Sequence, residues 1–143
     1  MTNINNATTF IVDDDPFVGL LYKKHLSNLG FRDLHHFYSG VECLNNLHLN
    51  PEIVLLDHQM SQVNGFEVLK KIKRSSPDAA VIMVSGQKDM ATALNALKYG
   101  AFDYIIKDNT ETVKIEDALK RLAKLRSLRP VAKSLFQKLI SNS

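Results

Sequence analysis

The sequence predicts an α/β fold, in which a doubly wound parallel sheet carries helices on both faces. Five short apolar runs, rich in Ile, Val, Phe and Tyr, alternate with five segments of helical pattern. Such alternation indicates parallel strands joined by right-handed crossovers. With 143 residues, the chain is long enough to form one domain with a sizeable core.

The predicted strands are short and apolar, which is typical of strands buried on both faces of a sheet. They are residues 9–12, 34–38, 53–56, 80–84 and 104–106. The predicted helices are residues 16–29, 40–48, 65–75, 89–98 and 111–127. Pro16 stands at the start of the first helix and Gly30 just after its end. Its apolar residues recur roughly on one face: Phe17, Leu20, Leu21 and Leu29.

The net charge of +3 conceals two regions of opposite sign. Residues 118–143 carry seven basic side chains and no acidic one, whereas all 15 acidic side chains precede them, among 11 basic ones. The body of the chain is therefore acidic, although the overall charge would suggest nucleic-acid binding. Only the C-terminal segment is basic.

Three features favour a cytoplasmic protein without membrane contact. The apolar runs are far shorter than the roughly 20 residues that span a bilayer. The N-terminus has neither the basic nor the apolar region of a secretion signal. Cys43 is the only cysteine, so an intrachain disulfide is excluded and a reducing compartment fits.

Polar side chains stand where four of the predicted strands end. Residues 13–15 are three consecutive aspartates after the first strand, and Asp57 closes the third. Ser85 ends the fourth strand, and Lys107 follows the fifth. Because ligands bind at the carboxyl ends of parallel strands in such sheets, we expect these side chains to share one edge.

The residue types at this edge indicate phosphoryl chemistry with a hard cation. Consecutive carboxylates repel one another unless a cation lies among them, and Mg²⁺ prefers such oxygen ligands together with phosphate oxygens. A carboxylate can also act as a nucleophile and form an acyl phosphate. Ser85 could then reach a phosphoryl oxygen through its hydroxyl, and Lys107 could neutralise charge.

Four motifs, in this order and spacing, resemble the receiver domain of two-component response regulators. They are "VDDD", "VLLDHQM…NGFEVL", "VIMVSG" and "YIIK", and the resemblance covers roughly residues 7–127. It implies a flavodoxin-like fold of strand order 2-1-3-4-5. It also implies a signalling switch that is not an enzyme, apart from catalysing its own phosphorylation and dephosphorylation.

The resemblance assigns a role to each polar residue of this edge. Asp57 is implied to be the phosphoacceptor and a Mg²⁺ ligand, together with Asp14 and the backbone carbonyl of Gln59. Asp13 is implied to hold the ion through a water molecule. The residues implied to bind the phosphoryl group and report it are Ser85, Gly86, Lys107 and Tyr104.

The resemblance also implies the partners. The phosphoryl donor would be a sensor histidine kinase or a phosphotransfer protein. The phosphorylated form would change its affinity for an unknown downstream protein through the face of helix four, strand five and helix five.

Two positions depart from the family pattern, because Ser61 and Asp108 stand where the family usually has proline. A non-proline cis peptide bond costs about 2.5–4 kcal/mol, so we expect the bond after Lys107 to be trans and the loop to be reshaped. Asp108 also adds a negative charge close to the site. We therefore expect slower or weaker phosphorylation.

Other polar residues have simpler interpretations. Asp15 precedes Pro16 and is expected to cap the first helix instead of binding metal. His58 is interpreted as a side chain at the edge of the site that affects access. The other four histidines show no metal-ligand spacing and are interpreted as structural or surface residues: His25, His35, His36 and His48.

Residues 128–143 are predicted to form a basic amphipathic helix after the receiver domain. Its apolar residues fall on one helical face: Leu128, Val131, Ala132, Leu135, Leu139 and Ile140. Pro130 is expected to break or kink its continuity with the preceding helix. The helix either folds back on its own domain or serves a homodimer or another partner. DNA binding is disfavoured, since no helix-turn-helix follows.

The sequence thus predicts a phosphoacceptor switch with a single receiver domain and no attached output domain. One alternative is a degenerate receiver that works unphosphorylated as a protein-interaction module. A less favoured one is an acyl-aspartate phosphohydrolase. Such enzymes need an acid or base two residues after the nucleophile, where this chain has Gln59.

Overall fold

The structure is a computed structural model that describes residues 4–60 and 63–142. It shows the predicted parallel sheet with helices on both faces. Its strand order is β2-β1-β3-β4-β5, and all four neighbouring pairs are parallel. The strands are β1 (Thr9–Val12), β2 (Leu34–Phe37), β3 (Ile53–Asp57), β4 (Ala80–Ser85) and β5 (Asp103–Ile106). The predicted fold class and strand order are confirmed.

Within residues 4–60 and 63–142, six α-helices accompany the sheet. They are α1 (Pro16–Asn28), α2 (Gly40–Leu44), α3 (Gly65–Ser75), α4 (Met90–Lys98), α5 (Glu111–Ser127) and α6 (Arg129–Ser141). The second helix was predicted to reach residue 48, but α2 ends at Leu44 and only a 3₁₀ turn, Leu47–Leu49, follows. The side-chain amide of Asn46 donates a hydrogen bond to the carbonyl of Glu42 at 2.8 Å. This carbonyl would otherwise accept a backbone N–H of the next helical turn, and such competition ends helices early.

The core forms one layer on each side of the sheet. Alternate residues of a strand point to opposite faces, so Ile11 and Leu55 pack under α1 and α5, while Phe10 and Leu56 pack under α2 and α3. Both layers are fully buried at the central strands. These two layers fix the strand ends that carry the polar residues.

The apolar face predicted for α1 is wrong for three of its four residues, and only Leu29 packs against the core. Phe17, Leu20 and Leu21 are exposed, and the residues packed on the sheet are Gly19, Tyr22 and Leu26. The reason is the missing side chain of Gly19. A Cβ there would lie 2.0 Å from Cε1 of His36 in β2, so the glycine lets this face approach the sheet.

We expect Gly19→Ala to lower the free energy of unfolding by about 2–3 kcal/mol, because the new methyl group overlaps the His36 ring. Chemical denaturation measures the change. Gly86→Ala is the matched control: its Cβ would meet only Oε1 of Gln59, at 3.2 Å, in an exposed loop. A loss below about 0.5 kcal/mol for Gly19→Ala, within the range of surface substitutions, would contradict this packing.

The C-terminal helix does not pack into the core. Only Leu128, which keeps right-handed helical angles, separates α5 from α6, and Pro130 lies in the first turn of α6, where a proline is tolerated. All residues from 127 to 142 are exposed. In the described part of the chain, no helix is long and apolar enough to cross a membrane.

Candidate functional site

Three carboxylates meet at the carboxyl edge of the sheet. Asp13 and Asp14 directly follow β1, and Asp57 is the last residue of β3, its neighbour in the sheet. Oxygen atoms of all three lie within 4.8 Å of one another. Asp13 and Asp57 are only 2% and 4% exposed, whereas Asp14 faces solvent.

Lys107 reaches into this cluster from the end of β5. Its Nζ lies 3.5 Å from Oδ2 of Asp13 and 3.4 Å from Oδ1 of Asp57. Its backbone N–H donates to the carbonyl of Ser85 at 2.8 Å, which extends the pairing of β5 with β4 to the edge. The peptide bond after Lys107 is trans, as all described peptide bonds are, and the lysine still reaches the carboxylates.

Burial raises the pKa of both inner carboxylates, Asp13 and Asp57. It raises the pKa of Asp57 to about 6; the nearby charge of Asp13 adds to the rise and Lys107 opposes it. The pKa of Asp13 is also raised, mainly by burial. One ammonium group therefore compensates these carboxylates only in part.

The three carboxylates fit a hard divalent cation. Oδ2 of Asp13 is buried and accepts no hydrogen bond, so one oxygen is left for a ligand. Mg²⁺ prefers carboxylate oxygens and uses few protein ligands. Asp13, Asp14 and Asp57 are the residues that would hold it.

Backbone groups fix the directions of these side chains. Oδ1 of Asp13 accepts the N–H of Asp15 at 2.9 Å, and Oδ1 of Asp57 accepts the N–H of Gln59 at 3.1 Å. Asp15 itself caps α1 by accepting the N–H of Phe17 at 2.9 Å, as predicted. Its carboxylate therefore stabilises the helix and does not belong to the cluster.

Ser85 and Tyr104 are joined through one residue of the loop between β4 and α4. Ser85 is fully buried, and its hydroxyl accepts the N–H of Gln87 at 3.1 Å. The hydroxyl of Tyr104 donates to the carbonyl of Gln87 at 2.7 Å. Gly86 lies between Ser85 and Gln87 in the chain, close to the side chain of Gln59. This loop links the end of β4 to the half-buried tyrosine of β5.

Asp108 forms a turn of its own in place of the proline. Its carboxylate accepts the backbone N–H of Thr110 at 3.1 Å and the ammonium of Lys114 at 2.9 Å. The Thr110 hydroxyl contributes most to lowering the pKa of Asp108 to about 2, and Lys114 adds to it. The negative charge is thus paired with Lys114. Ser61, the other departure, lies outside the described residues.

Three of the histidines make contacts of different kinds, which the sequence did not indicate. His58 packs its ring 4.4 Å from that of Phe66 in α3, beside the cluster. His35 pairs with Asp33 at 2.7 Å, at the opposite end of the strands. His36 instead bonds the carbonyl of Asp13 at 3.0 Å. No sequence signal identified this contact, because the two residues are 23 positions apart.

The chain matches known signalling proteins over this whole region. The family model for the response regulator receiver domain matches residues 9–120. The chain is 30% identical to the chemotaxis protein CheY of Thermotoga maritima over 115 residues, covering 80% of this chain and 95% of CheY. It is 29% identical to the luminescence regulatory protein LuxO of Vibrio campbellii over 121 residues, covering 82% of this chain. That match spans only 26% of LuxO.

A solved structure agrees with these matches. The fold superimposes with a TM-score of 0.73 on a chain of the CheX–CheY–BeF3–Mg complex from Borrelia burgdorferi, at 26% identity. The match covers 80% of this chain and 87% of the other. With its parallel sheet, its edge of three carboxylates and a family match over most of its length, this chain belongs to the response regulator receiver family.

Proposed function

We propose that this protein is a phosphoacceptor switch of a two-component pathway in the cytoplasm, which takes a phosphoryl group on Asp57. The observation that supports this most is the position of Asp57. Its carboxylate is nearly buried at the edge of the sheet, beside Asp13 and within 3.4 Å of Lys107. Residues 7–127 would form the receiver domain and residues 128–143 an extension.

The reaction would be an in-line transfer. A carboxylate oxygen of Asp57 forms a bond to phosphorus as the bond from phosphorus to the donor breaks. The donor is a phosphohistidine of a sensor histidine kinase or phosphotransfer protein, and its imidazole leaves and takes up a proton. Lys107 neutralises charge on the phosphoryl oxygens, and the Ser85 hydroxyl donates a hydrogen bond to one of them.

Mg²⁺, when bound, would neutralise negative charge on the carboxylates and the transferring group. Asp14, Asp57 and the carbonyl of Gln59 would be its ligands, with Asp13 acting through water. Each oxygen of this set is of the kind that Mg²⁺ prefers.

The switch would work through Gln87. Its N–H donates to the Ser85 hydroxyl and its carbonyl accepts from the Tyr104 hydroxyl. A movement of the Ser85 hydroxyl towards the phosphoryl group would therefore be passed through Gln87 to Tyr104. Tyr104 would then turn inward, and the face of α4, β5 and α5 would change its affinity for a downstream protein.

The first test is incubation with acetyl phosphate, with and without Mg²⁺, followed by intact mass measurement. We expect a gain of one phosphoryl group that requires Mg²⁺. Beryllofluoride with Mg²⁺ should perturb the amide NMR signals of Ser85 and Lys107. If neither reagent changes the protein, phosphorylation is abandoned in favour of an interaction module that works unphosphorylated.

We also propose that α6 mediates homodimerisation through its exposed apolar stripe. The residues Leu125, Leu128, Ala132, Leu135 and Leu139 follow the alternating spacing of three and four that pairs helices. The charged residues nearby are all basic: Lys124, Arg126, Arg129, Lys133 and Lys138.

We expect a dimer that strengthens as salt rises, because ions screen the repulsion between the basic side chains of the two helices. Light scattering at about 50 and about 500 mM NaCl, below and above the ionic strength of cells, measures the mass. Leu135→Glu should remain monomeric, whereas Gln137→Glu, on the polar side, should dimerise. A monomer in all conditions, with and without beryllofluoride, excludes this role.

A further inference from the structure

We propose that His36 is a positioning residue for the acidic cluster. It rests on the proposed function, in that the cluster is taken to bind Mg²⁺ and the phosphoryl group. The ring of His36 lies behind Asp13, on the side of α1, and its Nε2 is 3.0 Å from the Asp13 carbonyl oxygen.

The contact identifies the ring nitrogen that acts as the donor. A carbonyl oxygen can only accept a hydrogen bond, so Nε2 of His36 carries a hydrogen and is the donor. Two contacts hold the ring in this orientation. It lies against the backbone of Gly19, where a Cβ would come within 2.1 Å of Nε2. On another side the ring of Tyr38 lies with its centroid 4.1 Å away.

This bond completes the fixation of Asp13. The backbone N–H of Asp13 donates to the carbonyl of Phe37 at 3.1 Å, so both backbone polar groups of Asp13 are bonded to neighbouring residues of β2. The side chain is held in turn by the N–H of Asp15. Only Oδ2 accepts no hydrogen bond, and Lys107 lies 3.5 Å from it.

The consequence is that α1 and β2 together set the direction of Asp13. Asp13 stands immediately after β1, where the paired strand residues end and the chain turns into α1. Without the His36 bond this carbonyl would lose its donor from β2, and the backbone that carries Oδ2 would be held only by the bonds from Asp13 to Phe37 and from Asp15 to Asp13. Groups that orient metal ligands commonly affect metal affinity without touching the ion.

Three variants distinguish the hydrogen bond donated by His36 from the packing of its ring. His36→Phe keeps a ring and removes the donor. His36→Gln retains an N–H near the position of Nε2. His35→Phe is the matched control, since His35 is the adjacent histidine of β2 but faces Phe10 and pairs with Asp33.

The experiment measures Mg²⁺ affinity by NMR titration, and, without metal, the hydrogen-exchange rate of the Asp15 amide, which bonds Asp13. For His36→Phe we expect roughly fivefold weaker Mg²⁺ binding and roughly fivefold faster Asp15 exchange, the size of one lost hydrogen bond. His36→Gln and His35→Phe should both stay within about twofold of the wild type.

Two results would overturn the proposal. One is a His36→Phe protein with both quantities within about twofold of the wild type, even if its melting temperature falls. The other is an equal loss in His36→Gln, which would assign the effect to the ring and not to its N–H. If the wild type binds no Mg²⁺, the proposed metal site fails, while Asp15 exchange still decides the role of His36.

Discussion

Asp57→Asn will accept no phosphoryl group from acetyl phosphate, and in metal-free buffer it will be more stable than the wild type. The amide cannot form the acyl phosphate, so the reaction loses its nucleophile. The gain in stability has a separate cause. Asp57 is buried beside Asp13, and its ionised form is therefore costly in the folded state.

The stability gain depends on pH in a defined direction. The pKa of Asp57 is about 6 in the folded protein, against 3.8 ordinarily, so between these values the folded state binds more protons than the unfolded state. The wild type then loses stability as pH rises through this window. We expect Asp57→Asn to gain about 1–2 kcal/mol above pH 6, and less as pH falls towards about 4.

Thermal and chemical denaturation in EDTA at several pH values measures this difference, and added Mg²⁺ should stabilise the wild type more than the variant. Asp117→Asn, an exposed position of α5, is the control and should stay within about 0.5 kcal/mol at every pH. A variant that is destabilised at pH 7 without metal would contradict the electrostatic account of the cluster.

Lys107→Met will slow phosphorylation by about a hundredfold while it strengthens Mg²⁺ binding. The ammonium lies within 3.5 Å of both buried carboxylates. Its loss removes a charge that stabilises the transferring phosphoryl group, and preorganised groups of this kind are worth two to three orders of magnitude in rate, roughly 10²–10³. The same loss removes repulsion against a cation, which should tighten Mg²⁺ binding by roughly three- to tenfold.

The two effects have opposite signs, which distinguishes them from unfolding. Single-turnover mass measurement gives the rate, and calorimetric titration gives the affinity. Lys114→Met is the control, because this lysine pairs with Asp108 in the next loop. A Lys107→Met protein that binds Mg²⁺ more weakly but keeps its melting temperature would refute this role.

Local sequence patterns were enough to predict the fold class and the location of the polar edge. The short apolar runs and the helical patterns between them, with Gly30 after the first helix, predicted the alternation, because strands buried on both faces are continuously apolar. Aspartates, serine and lysine at strand ends then had to share one edge, since parallel strands bring their carboxyl ends together.

The remaining features depend on contacts between distant segments, which form only in the folded chain. Gly19 gave α1 its buried face, because only a residue without a side chain leaves room for the His36 ring. The sequence pattern pointed to another face, because Phe17, Leu20 and Leu21 are apolar but exposed. The bond from His36 to Asp13 spans 23 residues and has no local signal. Burial of Asp57 beside Asp13 raises its pKa, and burial is a property of packing. Periodicity reports what a segment prefers, whereas its neighbours in space decide which atoms it touches.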